Sequence, residues 1–299
     1  MNTVKQITRR HFLGLLLGLF SGCFYWPRPA KTIAAQKAKA FMDNLPKGVS
    51  LAWTEQGGSP IKAGSVSRSL PLGSVMKLFT TAVLFETNTV NRDTLFECRG
   101  TTRIPGSTET VHCLKPHGKI NLTQALGYSC NCYFVQSSAK LPFEQWQEQL
   151  LKWGVPVHGK ASEKDSKAPK YLNTHHYIGL TPSVMMTPVT LLPLIEDLAF
   201  ATGWANMISP ETRQVLREGM MLAAREGTGK HLPTLKQGQM ALKTGTVPYQ
   251  KHFQSWAVGF FPASKAEFVF VLQDQRGSSQ DKAVGSLKQW LLKTFPNRF

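Results

Sequence analysis

Acidic side chains are scarce in this sequence: 18 Asp and Glu stand against 35 Lys and Arg in 299 residues, a formal charge of +17. The first 29 residues hold Lys5, Arg9, Arg10 and Arg28 and no acid, so 31 basic residues face all 18 acids beyond them, and that body still carries +13. Such an excess suits an anionic partner, whether nucleic acid, membrane surface or cell-wall polymer. Long hydrophobic runs are also missing, and Leu15-Leu16-Leu17-Gly18-Leu19-Phe20 is short for a permanent membrane span. No Cys-x-x-Cys pair occurs among the five cysteines, which argues against a zinc knuckle and for no bound metal. No internal repeat is present, so a solenoid or propeller is excluded. With 42% hydrophobic and 18% charged residues, a disordered low-complexity chain is excluded too. The length permits one large domain or two small ones with a substantial core, but not a fusion of several enzymes.

What is present begins at the N-terminus. Thr8-Arg9-Arg10-His11-Phe12-Leu13-Gly14 precedes the apolar run, the cationic-then-apolar order of an export signal over residues 1–30. The paired arginines resemble a twin-arginine signal, with an ordinary secretory signal as the alternative. Phe20-Ser21-Gly22-Cys23 resembles a lipoprotein cleavage box that would make Cys23 a lipidation site, although Phe20 stands where Leu is usual. An uncleaved anchor containing Cys23, or cleavage near Ile33-Ala34-Ala35, are the other readings. Each puts the body on the periplasmic side of a bacterial inner membrane, against a membrane surface and away from nucleic acid.

Beyond the signal, residues 31–47 read as a linker or first helix, and residues 48–299 as one domain. Val49 to Trp53 and Ile61 to Val66 flank Gly57-Gly58 as a hairpin. Ser74 to Asn88 reads as a buried helix, residues 96–118 as loop, and helical patterns cover 122–139, 143–153, 188–201 and 210–226. The lysine-rich stretch 158–170 reads as a solvated loop. Strands at 241–246, 254–261 and 268–273 precede a helix over 284–294. Strands at both ends with helices between predict an α+β domain whose sheet joins the two ends of the chain.

Three short motifs fall on these elements. Ser74-Val75-Met76-Lys77 opens the buried helix, where a three-residue spacing puts hydroxyl and amine on one face. Serine is a weak nucleophile that needs a neighbouring base, and a desolvated lysine can be one. Ser129-Cys130-Asn131 lies between helical stretches and offers a second hydroxyl and an amide. Lys243-Thr244-Gly245-Thr246 lies on a strand, where a lysine and hydroxyls can clamp a carboxylate and Gly245 permits close backbone approach. Singly, each is equally a capped helix, a polar turn and an edge strand.

In this order on a helix, a loop and a strand, the three resemble the active-site triplet of penicillin-binding proteins and serine β-lactamases. Gly73, Phe96-x-Cys98-x-Gly100, His117-Gly118, Ala125-Leu126-x-x-Ser129-Cys130-Asn131-x-Tyr133-Phe134, Ile178-Gly179, Thr187-Pro188, Gly227-Thr228 and Trp256 to Ala263 extend the likeness to the transpeptidase domain of class B penicillin-binding proteins, from about Val49 to the C-terminus. The resemblance implies an antiparallel sheet flanked by helices with a helical subdomain, and a serine acyl-enzyme without cofactor. Ser74 would attack the carbonyl between two D-alanines of a peptidoglycan stem peptide, with Lys77 as base. Ser129 and Lys243 would relay the proton to the leaving D-alanine, and Asn131 would hold Lys77 and the peptide. Thr244, Gly245 and Thr246 would bind the donor carboxylate, and β-lactams would trap Ser74. The pedestal usual in class B proteins is missing ahead of Ser74, so a separate glycosyltransferase or other cell-wall protein is the expected partner.

Two related readings stay behind this one. A class A β-lactamase needs a Glu with an Asn four residues on, but Glu163 is followed there by Lys167; class D enzymes have an aliphatic residue where this chain has Asn131. A domain that binds β-lactam or peptidoglycan without turnover, as a sensor or scaffold, is the non-enzymatic alternative. Arg225 to Lys230 resembles a phosphate loop, yet Ala224 takes its first glycine position and His231 its hydroxyl position. In an exported chain, Cys98 and Cys113 are expected as a disulfide closing the 96–118 loop. Cys130 and Cys132, one residue apart, are expected as separate thiols or with one distant partner.

Overall fold

The computed structural model describes residues 41, 43–158, 172–249 and 252–299. The export segment with Cys23, nearly all of residues 31–42, and the 159–171 stretch with Glu163 and Lys167 lie outside the described residues.

Alternation of side chains organises the centre. Strands β1 (Val49–Glu55), β2 (Ile61–Ala63), β9 (Ala241–Tyr249), β10 (His252–Phe261) and β11 (Phe268–Asp274) form an antiparallel sheet in the order β2-β1-β11-β10-β9. Pairing of β1 with β11, Val49 opposite Asp274 through Glu55 opposite Phe268, joins the two ends of the chain as expected, and a short pair, β3 (Leu70–Pro71) with β8 (Met185–Met186), lies outside this sheet. Along β10, Trp256, Val258 and Phe260 point to one core while Ala257 and Phe261 point to another. The second core is closed by the C-terminal helix α8 (Val284–Thr294), whose Trp290 packs against Trp53 and Phe270. The first is filled by α1 (Met76–Glu86), buried on every side from Met76 to Leu84, with Lys77, Thr80 and Thr81 as polar exceptions among apolar side chains.

The helical part surrounds α1 with α2 (Leu122–Gly127), α3 (Asn131–Ser137), α4 (Phe143–Lys152), α5 (Leu172–Ile178), α6 (Pro188–Phe200) and α7 (Pro210–Arg225). Their starts are written locally. Asn121 and Gln124 make a reciprocal capping box on α2, as Thr187 and Thr190 do on α6, and Ser209 caps α7, with Pro188 and Pro210 in the first turns. Two expectations change. Residues 96–118 are two ribbons, β4 (Phe96–Cys98) with β7 (Gly118–Ile120) and, inside it, β5 (Thr101–Arg103) with β6 (Thr110–His112). Three-residue strands are too short to show alternation. The helix expected over 122–139 breaks between α2 and α3, because Ser129 adopts φ +55°. Among the described residues, no helix is long and apolar enough to cross a membrane.

Candidate active site

Ser74 sits in a 3-10 turn, Gly73–Val75, that leads into α1, not in the first α-helical turn as its spacing suggests. Gly73 has φ +56°, and a Cβ there would lie 2.9 Å from the carbonyl oxygen of Thr246 and 3.1 Å from its nitrogen. A Cβ on Gly245 would lie 2.5 Å from the Leu72 oxygen. The two missing side chains let edge strand β9 press directly on the turn carrying Ser74.

Lys77 and Lys243 are both fully buried. Lys77 Nζ donates to Asn131 Oδ1 at 2.5 Å and to the Ser129 carbonyl at 2.9 Å, 5.5 Å above the Phe134 ring. Asn131 Nδ2 in turn donates to the His112 carbonyl at 2.7 Å. Lys243 Nζ donates to Ser129 Oγ at 2.9 Å and to its neighbour's carbonyl, Thr244 O, at 2.7 Å. Burial lowers Lys77 from 10.5 to about 8, so a neutral amine is accessible near neutral pH. Burial, and next the charge of Lys77, drive Lys243 well below its ordinary value. Two amines without an acid between them therefore share Ser129, one by its carbonyl and one by its hydroxyl.

Ser74, Ser129, Asn131, Thr228, Thr244, Gly245 and Thr246 open onto one cavity of about 410 Å³. Thr244 Oγ1 donates to Thr228 Oγ1 at 2.6 Å, and Thr246 Oγ1 donates to Ser279 Oγ at 2.9 Å while accepting the Ser279 N–H at 2.8 Å. The structure thus brings together all eight residues of the three motifs that sequence singles out as catalytic or substrate-binding. It adds Ser279, Thr228 and the His112 carbonyl, of which only Thr228 stood in a quoted motif.

The cysteines depart from expectation at one pair. The Cys98–Cys113 disulfide is not formed, and Cys98, Cys113, Cys130 and Cys132 are free. The ribbons turn Cys98 towards His117 Nδ1, 3.4 Å away, and Cys113 towards Cys130 Sγ at 3.7 Å and Cys132 Sγ at 3.5 Å. Donor atoms of Cys98, Cys113, His117 and Cys130 all lie within 4.8 Å of one another. Tetrahedral zinc, with bonds of about 2.3 Å to sulfur and about 2.0 Å to nitrogen, has S···S edges near ~3.8 Å and S···N edges near ~3.5 Å, so this donor set fits such an ion. An ion there would be closed off by protein donors and would supply a structural cross-link. The missing Cys-x-x-Cys pair is thus no argument against metal: the donors come from β4, the chain after β6, the turn before β7 and the residue capping α3. The thiol of Cys130 and then the N–H of Cys132 hold Cys113 down, to about 4, while Cys130 is pushed up by the same contact.

A chain with this buried lysine pair, paired hydroxyls and edge strand invites comparison with known families. The family model described as "Penicillin binding protein transpeptidase domain" matches residues 27–293. The chain belongs to the penicillin-binding protein transpeptidase family. The D,D-transpeptidase domain of a peptidoglycan glycosyltransferase from Eggerthella lenta is similar at TM-score 0.71 and 16% identity, over 89% of this chain and 81% of that one. Pseudomonas aeruginosa PBP2, solved in complex with WCK 5153, is similar at TM-score 0.70 and 15% identity, over 87% and 73%. Helicobacter pylori PBP2, solved in complex with MreC, is similar at TM-score 0.67 and 17% identity, over 88% of this chain and 63% of that one. At these identities the likeness is one of fold. No curated protein matches the chain. The transpeptidase fold, α+β with an antiparallel sheet flanked by helices, is the one expected from sequence.

Proposed function

We propose that this transpeptidase domain works through a serine acyl-enzyme on the D-Ala-D-Ala end of peptidoglycan stem peptides, and that β-lactams acylate the same serine. The observation that carries the reading is the hydrogen-bonded set Lys77–Asn131 and Lys243–Ser129 facing the cavity that Ser74 lines. Neutral Lys77 takes the Ser74 proton as Oγ attacks the carbonyl, a base task matched by its lowered proton affinity. The backbone N–H groups of Ser74 and Thr246, brought close by Gly73, receive the oxyanion. Ser129, paired with Lys243, passes a proton to the departing D-alanine. Thr244 and Thr246 bind the donor carboxylate, whose own negative charge favours protonated Lys243 beside them. An amine of a second stem peptide then takes the acyl group and forms a cross-link, or water takes it and the outcome is carboxypeptidation.

In the same reading the chain is exported to the periplasmic side of the inner membrane, held there by its signal or by lipid on Cys23. A separate glycosyltransferase or other cell-wall protein supplies the glycan strands. Relatives solved in complexes, PBP2 with MreC and a member of a peptidoglycan synthase complex that coordinates polymerisation and crosslinking, support a protein partner.

Mass spectrometry after penicillin exposure tests the proposal, with an adduct on Ser74 expected. Release of D-alanine from a synthetic stem peptide, lost in Ser74→Ala, is the companion assay. An adduct without D-alanine release identifies a sensor instead, and sustained hydrolysis of nitrocefin identifies a β-lactamase.

A further inference from the structure

Five soft donors crowd the wall behind Asn131, one more than a tetrahedral ion accepts. Cys98, Cys113, His117 and Cys130 complete a set within 4.8 Å. Cys132 is left over, fully buried, with its sulfur 3.5 Å from Cys113 Sγ and its N–H donating to that sulfur at 3.3 Å. Cys113 is therefore the shared atom of two arrangements. We propose that a thiophilic divalent ion such as Zn²⁺ on Cys98, Cys113, His117 and Cys130, and a Cys113–Cys132 disulfide, are mutually exclusive states of one latch on the Ser129-Cys130-Asn131 motif.

Connectivity makes the latch matter to the site. His112 and Cys113 are consecutive, as are Asn131 and Cys132, and the His112 carbonyl accepts from Asn131 Nδ2, whose partner oxygen accepts from Lys77. Closing Cys113 and Cys132 from 3.5 Å to the roughly 2.05 Å of a disulfide pulls on both flanks of the Asn131 contact. An ion shared by Cys113 and Cys130 instead clips the strand end to the residue before Asn131 without closing that gap. Of the four described thiols, Cys113 alone lines the active-site cavity, so it is the one that an external reagent meets first.

The chemistry balances with a small disulfide as oxidant. The Cys113 thiolate attacks the oxidant's sulfur–sulfur bond, forming a mixed disulfide and releasing one small thiolate. The Cys132 thiolate then attacks the Cys113 sulfur and releases the second. Two protein thiols lose two electrons and two protons, and the oxidant is reduced to two thiols. Ligation keeps Cys113 from starting the sequence.

The test uses the reduced full chain, Zn²⁺ alone, and oxidised glutathione. Expected are one zinc retained per chain after desalting, at least about tenfold weaker retention in Cys98→Ser and His117→Ala, and unchanged stoichiometry in Cys132→Ser, with Cys132→Ala as a second check. Co²⁺ in place of zinc should give the near-ultraviolet band of a thiolate-bound tetrahedral ion. In the metal-free chain, oxidised glutathione should yield a Cys113–Cys132 cross-link by peptide mapping, about tenfold or more slowly once zinc is bound. In Cys132→Ser it should stop at the mixed disulfide on Cys113. Failure to retain zinc, equal oxidation rates with and without it, or a cross-link between another pair overturns the proposal. These readouts do not depend on acyl transfer, and penicillin labelling of Ser74 on the same samples reports separately on the proposed function.

Discussion

Lys77 and Lys243 are both fully buried and both hold Ser129, one through its carbonyl and one through its hydroxyl, each at 2.9 Å. Among the described residues no carboxylate offsets them, so only partial neutralisation makes the arrangement tolerable, and burial supplies it by disfavouring the charged amines.

The pH dependence of acylation follows. Lys77, lowered to about 8, becomes a neutral base as pH passes that value, so the penicillin acylation rate should rise from pH 6.5 to 9 with a midpoint near 8. The sign for stability agrees. Its folded value lies below the unfolded 10.5, so between about 8 and 10.5 the unfolded chain binds more protons, and this lysine's contribution raises stability with pH there. Stopped-flow acylation across that range is the measurement, and a flat or falling profile contradicts the role of Lys77 as base.

Asn131 should act through Lys77. Asn131→Ala leaves the buried amine with the Ser129 carbonyl alone, so acylation should fall on the order of 10²-fold and stability by about 1–3 kcal/mol. Asn131→Asp places a negative charge at the same contact, which favours charged lysine and should move the acylation midpoint upwards. An unmoved midpoint in Asn131→Asp would show that the side chain only fills space.

The triplet itself was legible in the sequence because its residues are fixed by short local spacings: Ser74 to Lys77, Ser129 to Asn131, Lys243 to Thr246. The sheet was legible because β1 alternates and β10 and β11 carry apolar runs of strand length, and Val284 to Thr294 because its apolar face repeats at helical spacing. Contacts made across the fold left no such trace. Cys98, Cys113, His117 and Cys130 meet only once two nested ribbons and the cap of α3 are assembled. Ser279 reaches Thr246 from the first residue of a π-helical segment (Ser279–Ala283), 33 residues along the chain. The short helix α5 carries His175 and His176 and no strong apolar period, so residues 172–178 gave no helical signal.

Two glycines should respond oppositely to a methyl group. Gly73→Ala puts a Cβ 2.9 Å from the Thr246 oxygen at φ +56°, which costs about 1–3 kcal/mol and separates the turn from β9. Penicillin acylation should be nearly lost. Gly285→Ala, inside α8 where a Cβ meets nothing within 4 Å, should gain about 0.5–1 kcal/mol and leave acylation alone. Urea unfolding and fluorescent penicillin labelling of the pair separate backbone strain at the nucleophile from a general intolerance of substitution. Equal labelling by both variants would remove the argument for close approach at Gly73.

Ser279 braces Thr246, a residue proposed to bind the donor carboxylate. Its N–H and hydroxyl both engage Thr246 Oγ1, and the Ser278–Gln280 turn lines the cavity beside it. Ser279→Ala keeps the backbone donor but removes the hydroxyl, so Thr246 is held by one contact instead of two. If Thr246 binds the donor carboxylate in ground and transition states alike, KM for the stem peptide should rise several-fold while kcat changes little. Ser279→Thr, which restores a hydroxyl at that contact, should recover most of the loss. A fall in kcat at unchanged KM would instead place Ser279 in transition-state stabilisation, with Thr246 oriented for the oxyanion and not for the carboxylate.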